Sequence, residues 1–107
     1  MDSDHPKFSE TLVSLEGTEF DYSASSISNS EGEFRWNNIR DHHYEKTIEI
    51  GCALGISSLY ICDALSVLGQ PSHTIIDPFQ TTRWESVGIR NLERRNLDFY
   101  SLLEQPS

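Results

Sequence analysis

The sequence has few cationic residues, and this scarcity argues against several classes of function. Eight lysines and arginines stand against seventeen aspartates and glutamates in 107 residues, which gives a formal net charge of −9 at pH 7. Proteins that bind the phosphate backbone of DNA or RNA depend on cationic side chains. We therefore expect no nucleic-acid partner for this chain.

Long apolar runs are absent as well. No stretch approaches the roughly 20 apolar residues that a transmembrane helix requires, so no membrane span is expected. The acidic beginning, Met1 to Asp4, differs from the cationic beginning of a signal peptide. These features predict a cytoplasmic protein.

Cysteine is limited to Cys52 and Cys62, and neither has the Cys or His spacing of a zinc site. We therefore predict no metal site. If the segment between the two cysteines is helical, it rises roughly 15 Å, which is too far for a disulfide. Free thiols are typical of a reducing compartment.

Residues 1–45 are predicted to form an N-terminal arm with one helix. Residues 1–29 are polar and carry only a weak helical pattern, whereas Ser30 to Glu33 has the spacing of a capping box. In such a box the serine hydroxyl accepts from the amide three residues later, and the glutamate reaches back. The pattern predicts a helix over about residues 30–43, preceded by irregular chain.

Residues 46–107 alternate between strand and helix patterns. Short β-branched or apolar runs bounded by turn residues predict strands, and apolar residues at helical spacing predict helices. The predicted order is strand 46–50, helix 56–68, strand 73–76, helix 84–96 and strand 97–103. Strands joined by helices through short connections predict an α/β fold with a parallel sheet.

The loop after the first predicted strand is the most informative segment. Gly51 and Gly55 lie four residues apart, which suits a tight turn and close approach of the backbone to a ligand. Open α/β sheets bind ligands at the carboxyl ends of their strands, and a helix N-terminus adds free amides there. The dinucleotide fingerprint would need glycine where Ala53 and Ile56 stand. A simple turn without a ligand is the alternative interpretation.

An acidic residue ends the second predicted strand. Asp77 follows Glu49 by 28 residues, and a carboxylate at this place can accept hydrogen bonds from both hydroxyls of a ribose. Because Pro78 comes next, Asp77 is also a plausible turn former.

Three segments together resemble class I S-adenosylmethionine-dependent methyltransferases, especially the small-molecule O-methyltransferase-like group. They are residues 47–58, 75–79 and 88–92, and the helix around Glu31 to Phe34 is similar to the helix that covers the cofactor loop in that group. The resemblance implies S-adenosylmethionine as cofactor, a small-molecule methyl acceptor and a partial Rossmann-like sheet with strand order 3-2-1.

The resemblance also implies positions for the cofactor-binding residues. They would surround the methionine part (Glu49, Gly51, Ala53 and Gly55), hold the ribose (Asp77), lie beside the adenine (Pro78 and Phe79) and approach the adenine edge (Glu104 or Ser107). No catalytic residue is implied, because members of the group usually place substrate contacts and any base after later strands.

Members of that group continue through further strands, so residues 46–107 are expected to form a truncated domain. Its first strand would then be an exposed edge that favours self-association. Two alternatives are a catalytically inactive cofactor-binding fragment and a half-domain completed by a partner chain. A Rossmann enzyme that uses NAD or a nucleotide sugar is a third, which Ala53 and Ile56 disfavour.

Overall fold

The computed structural model describes residues 13–20 and 28–105. The helices and strands in these ranges alternate, as predicted for an α/β fold. They are α1 (Asn29–His42), β1 (Lys46–Ile50), α2 (Ile56–Leu65), β2 (Ser72–Ile76), α3 (Val87–Arg94) and β3 (Tyr100–Leu103). Most of the predicted irregular segment 1–29 lies outside the described residues, as does Ser107.

The three strands form one parallel sheet in the order β1-β2-β3, which confirms the predicted order. Thr47 is opposite His73, and Ile50 is opposite Ile76. Within the described ranges β1 pairs only with β2, so the other side of β1 is a free edge.

The two faces of the sheet differ in what covers them. Side chains alternate between faces along a strand, and Glu49 and Ile75 point to the buried face, beneath the helices. Ile48 and Ile50 point to the other face, where their side chains are 71% and 69% exposed. The described part of the chain therefore covers only one face of the sheet.

Helix α2 is the centre of the core because it is apolar around most of its circumference, with Leu59, Tyr60 and Leu65 fully buried. Helix α1 packs directly on it. A side chain at Gly32 would collide with the ring of Tyr60, and the Trp36 indole donates a hydrogen bond of 2.9 Å to Asp63. These contacts hold α1 over the middle and end of α2.

The N-cap of helix α1 lies two residues earlier than predicted. Ser28, not Ser30, is the N-cap: its hydroxyl accepts from the amide of Glu31 at 3.1 Å, and the Glu31 carboxylate accepts from the amide of Ser28 at 3.3 Å. The Ser-x-x-Glu pattern occurs twice in succession, so the spacing alone does not choose between the two. Gly32 lies near the beginning of this helix, where α1 approaches Tyr60.

Helices α2 and α3 and strand β3 are shorter than predicted, whereas β2 begins one residue earlier, at Ser72. Helix α2 ends at Leu65, after which Ser66 donates its hydroxyl to the carbonyl of Asp63 at 2.6 Å. Helix α3 begins at Val87 because Glu85 and Ser86 have φ values of 49° and 62°, which no right-handed helix accommodates. Strand β3 begins at Tyr100, three residues later than predicted.

Neither a membrane-spanning helix nor a disulfide is present in the described ranges. None of their helices has the length and hydrophobicity needed to cross a bilayer. Cys52 and Cys62 are buried free thiols.

Candidate functional site

The loop between β1 and α2 has an unusual backbone. Gly51, Ala53 and Gly55 all have positive φ, at 85°, 49° and 85°. A Cβ at Gly51 would meet no atom within 4 Å, so glycine is favoured there by the backbone conformation alone. At Gly55 a Cβ would also lie 2.7 Å from the carbonyl oxygen of Gly88. The two glycines therefore satisfy different requirements of one turn.

A cavity of about 450 Å³ lies beside this loop, along the free edge of β1. It brings together three of the predicted cofactor residues with side chains from α1 and α2. Its lining consists of Arg35, Ile48, Glu49, Ile50, Gly51, Cys52, Ala53, Ser57 and Ile61. The other predicted residues, Gly55, Asp77, Pro78 and Phe79, are not part of this lining.

One cationic and one acidic side chain border the cavity. The Arg35 guanidinium reaches it from α1 and donates a hydrogen bond of 2.7 Å to the Ser57 hydroxyl at the beginning of α2. The Glu49 carboxylate is only 7% exposed and accepts hydrogen bonds from Ser58 and from His73. The cavity can therefore bind a group of either charge at separate points.

Arg35 was not among the site residues predicted from the sequence. The available signal was its position directly after Glu31 to Phe34, the segment of α1 that resembles a loop-covering helix. A cationic side chain on a helix that covers a ligand-binding loop is a candidate partner for an anionic group of the ligand. Its reach to Ser57 depends on the packing of α1 on α2, which the sequence does not display.

Asp77 follows β2 directly, supports the loop from there and is 3% exposed. Its Oδ2 accepts from the amides of Cys52 and Ala53, at 3.0 and 3.1 Å, and from the Gln80 side chain at 3.0 Å. Its Oδ1 accepts from the amide of Phe79 at 3.1 Å. Burial disfavours the charge, but these hydrogen bonds outweigh it and lower the pKa of Asp77 below its ordinary value.

Two further polar side chains hold the same loop, and no motif in the sequence indicated them. Gln80 is fully buried, donates to the carbonyl of Ala53 at 3.0 Å and accepts from the amide of Ile89 at 3.1 Å. Asn91 on α3 donates to the carbonyl of Leu54 at 2.9 Å. Segment 80–91 is thereby hydrogen-bonded to the loop at both of its ends.

Gly88 allows that close approach. A Cβ there would lie 2.5 Å from the carbonyl oxygen of Ala53 and 2.7 Å from the sulfur of Cys52. The beginning of α3 can therefore touch the loop only through a residue without a side chain.

The predicted adenine-side residues lie after β2. Pro78 is partly buried, whereas Phe79 is 56% exposed. Glu104, beyond β3, accepts from the amide and hydroxyl of Thr81 at 3.1 and 2.6 Å, which connects the ends of β2 and β3. The roles predicted for Pro78 and Phe79 stay predictions.

Cys52 lines the cavity, but its thiol is unreactive. Burial is the main reason that the pKa of its thiol is raised, to about 12. Because the thiolate is the nucleophilic form, this residue is not a nucleophile near neutral pH.

No protein-family model matches the sequence, and no curated protein matches it. Solved structures, in contrast, share its fold. An O-methyltransferase from Bacillus cereus in complex with S-adenosylhomocysteine is 20% identical, with a TM-score of 0.64 over 74% of this chain and 34% of its own.

Two further structures give the same result. An O-methyltransferase of tomaymycin synthesis from Streptomyces achromogenes, in complex with S-adenosylmethionine, is 16% identical, with a TM-score of 0.65 over 73% of this chain and 34% of its own. A methyltransferase from Podospora anserina bound to S-adenosylhomocysteine is 18% identical, with a TM-score of 0.70 over 81% of this chain and 36% of its own. The chain thus has the Rossmann-like fold seen in part of these methyltransferases and spans about a third of their length.

Proposed function

We propose that this chain binds S-adenosylmethionine and forms the cofactor-binding part of a methyltransferase that acts on a small molecule. The observation that carries the proposal is the presence of Glu49 and Arg35 at one cavity, at the carboxyl end of β1. The methionine end of this cofactor carries an ammonium and a carboxylate group, so it needs both an anionic and a cationic partner. The shared fold of the methyltransferase structures supports the same proposal.

The charges and hydrogen-bonding groups of these residues match those of the cofactor. Glu49 would take the ammonium group, and Arg35 with Ser57 would take the carboxylate. Asp77 uses Oδ2 for the loop and has one partner on Oδ1, so Oδ1 is the oxygen available to a ribose hydroxyl. Phe79 offers an exposed ring for the adenine.

The bound cofactor would supply an electrophilic methyl group on its sulfonium. The chain's own contribution in this proposal is to bind and orient that cofactor, because orientation alone removes a large part of a transfer barrier. The net charge of −9 supports a small-molecule acceptor over a nucleic acid. The buried free thiols are consistent with a reducing compartment such as the cytoplasm.

Calorimetric titration with S-adenosylhomocysteine tests the proposal on the whole chain. We expect binding of this ligand and none of NAD. Arg35→Gln should weaken binding by about tenfold or more, because it removes a charge-assisted hydrogen bond to the carboxylate. The matched control is Arg94→Gln, since Arg94 is exposed on α3 and does not line the cavity.

Two results would contradict the proposal. One is the absence of binding by the wild-type chain, and the other is an equal loss in the Arg35 and Arg94 variants. Methyl transfer is a separate measurement. A chain that binds the cofactor but transfers no methyl group to a panel of small hydroxylated acceptors would be the inactive or partner-completed form considered above.

We also propose that copies of the chain associate through β1. Among the described residues no strand pairs with one edge of β1, and the exposed face of the strand carries Ile48 and Ile50. Unpaired edges of this kind favour pairing with another strand. A second copy presents the same edge and the same two apolar side chains, so a symmetric pair would cover both.

A further inference from the structure

A fully buried histidine connects β1 and β2 behind the cavity. His73 lies on β2 opposite Thr47, and its side chain is 0% exposed. Its Nδ1 is 2.7 Å from the hydroxyl oxygen of Thr47, and its Nε2 is 3.1 Å from Oε1 of Glu49. Thr47 and Glu49 are two residues apart on β1 and therefore share one face, so a single ring reaches both.

The carboxylate determines how the ring is protonated. An ionised carboxylate only accepts hydrogen bonds, so Nε2 of His73 must carry the proton that it shares with Glu49. In the neutral ring Nδ1 then accepts from the Thr47 hydroxyl. Ser58 donates to the same Oε1 from α2. Within the described residues both hydrogen bonds of Glu49 end on Oε1, so Oε2 is left for a ligand in the cavity.

We propose that His73 is a positioning residue for Glu49 and makes this site selective for a ligand with an ammonium group. The inference rests on the proposed function, since it assigns Oε2 of Glu49 to the ammonium of the cofactor. A glutamate side chain has three rotatable bonds, and a ring held by Thr47 restricts it to one direction. Without His73 the carboxylate loses a charge-assisted hydrogen bond and that orientation.

Two amide variants distinguish the contribution of Nε2 of His73 from that of Nδ1. His73→Gln places its NH2 group near the position of Nε2 and keeps a donor for Glu49. His73→Asn is shorter, reaches only the position of Nδ1 and leaves Glu49 without this donor. Both variants replace a buried ring by a neutral amide, so they disturb the core in a similar way.

Two ligands separate positioning from folding. S-adenosylhomocysteine carries the ammonium group, whereas 5′-methylthioadenosine has the same adenosine and thioether without the amino-acid end. We expect His73→Asn to weaken the binding of S-adenosylhomocysteine by about tenfold. The affinity for 5′-methylthioadenosine should stay within about twofold of the wild-type value. His73→Gln should retain most of the preference for S-adenosylhomocysteine. Thermal unfolding confirms that each variant is folded.

Thr47→Val is the second test if His73→Asn does not fold. This change removes the hydroxyl that holds Nδ1 and leaves His73 and Glu49 in place. The affinity for S-adenosylhomocysteine should therefore fall by less than in His73→Asn, while the affinity for 5′-methylthioadenosine stays unchanged. Equal losses for both ligands, or no loss for either, would overturn the role of His73. If the wild-type chain binds neither ligand, the proposed function fails together with this inference.

Discussion

The carboxylate of Asp77 lies 3.0 Å from the backbone nitrogen of Cys52 and 3.1 Å from that of Ala53. The residue that ends β2 therefore holds the loop that follows β1. The ribose role of Asp77 stays a prediction, and the structure shows that its carboxylate accepts hydrogen bonds from the loop. Experiments on this residue must separate the two.

Replacement of Asp77 should affect both stability and binding. Asp77→Ala leaves the buried amides of Cys52 and Ala53 without their acceptor, at a cost of about 1–3 kcal/mol in the free energy of unfolding. If Asp77 also holds the ribose, S-adenosylhomocysteine should bind about 30- to 1000-fold more weakly. Urea unfolding and calorimetry measure the two effects.

The control is Gln80→Leu, which removes hydrogen bonds to Asp77 and Ala53 but no predicted ribose contact. A ribose role requires that Asp77→Ala weakens binding more than Gln80→Leu at a similar loss of stability. An effect of Asp77→Ala below about threefold would leave Asp77 as a support of the loop only.

The ionisation of Asp77 predicts a loss of stability in acid. Its pKa is lower in the folded chain than the ordinary value of 3.8, because the hydrogen bonds from the loop and Gln80 outweigh the effect of burial. Folding therefore favours the ionised form. Its contribution is fully present above the ordinary pKa and is lost as the pH falls through the lower folded value.

We expect the free energy of unfolding of the wild type to fall below pH 4 by more than that of Asp77→Asn, which has no charge to lose. Urea unfolding of both proteins at pH 3 to 7 measures the difference. Parallel pH profiles would show that the carboxylate is not stabilised by folding.

Gly88 should be intolerant of the smallest side chain. In Gly88→Ala the added Cβ would lie 2.5 Å from the carbonyl oxygen of Ala53, so α3 or the loop must move. We expect lower thermal stability and at least about tenfold weaker binding of S-adenosylhomocysteine. Gly69→Ala is the matched control, because a Cβ there meets no atom within 4 Å. Similar behaviour of the two variants would contradict the close approach of α3 to the loop.

The free edge of β1 predicts association at higher concentrations. Sedimentation of the wild type should show concentration-dependent dimers, and Ile48→Lys should reduce them by placing a charge on the exposed face. Val67→Lys is the control, since Val67 is 64% exposed and lies outside the sheet. The wild type could instead stay monomeric at all concentrations and unfold cooperatively above about 60 °C. That result would contradict the prediction that the edge of β1 lowers stability and promotes association.

Local patterns predicted much of the fold and part of the site. The β-branched runs indicated the strands, their alternation with helices indicated a parallel sheet, and Gly51 and Gly55 indicated the turn between β1 and α2. The strand order followed from the family resemblance and is confirmed. These features were readable because backbone preferences act over a few residues. The same range explains the error at α1: two overlapping capping patterns are locally equivalent, and the structure uses the one that begins at Ser28.

The sequence by itself determined the order of the elements and the kinds of residue at the carboxyl end of β1. Only the tertiary structure decided which distant side chains meet there. Arg35 reaches Ser57 because α1 packs on α2, and His73 reaches Glu49 because β2 pairs with β1 in one particular register. A shift of that register by one residue would turn His73 to the other face of the sheet, because side chains alternate along a strand.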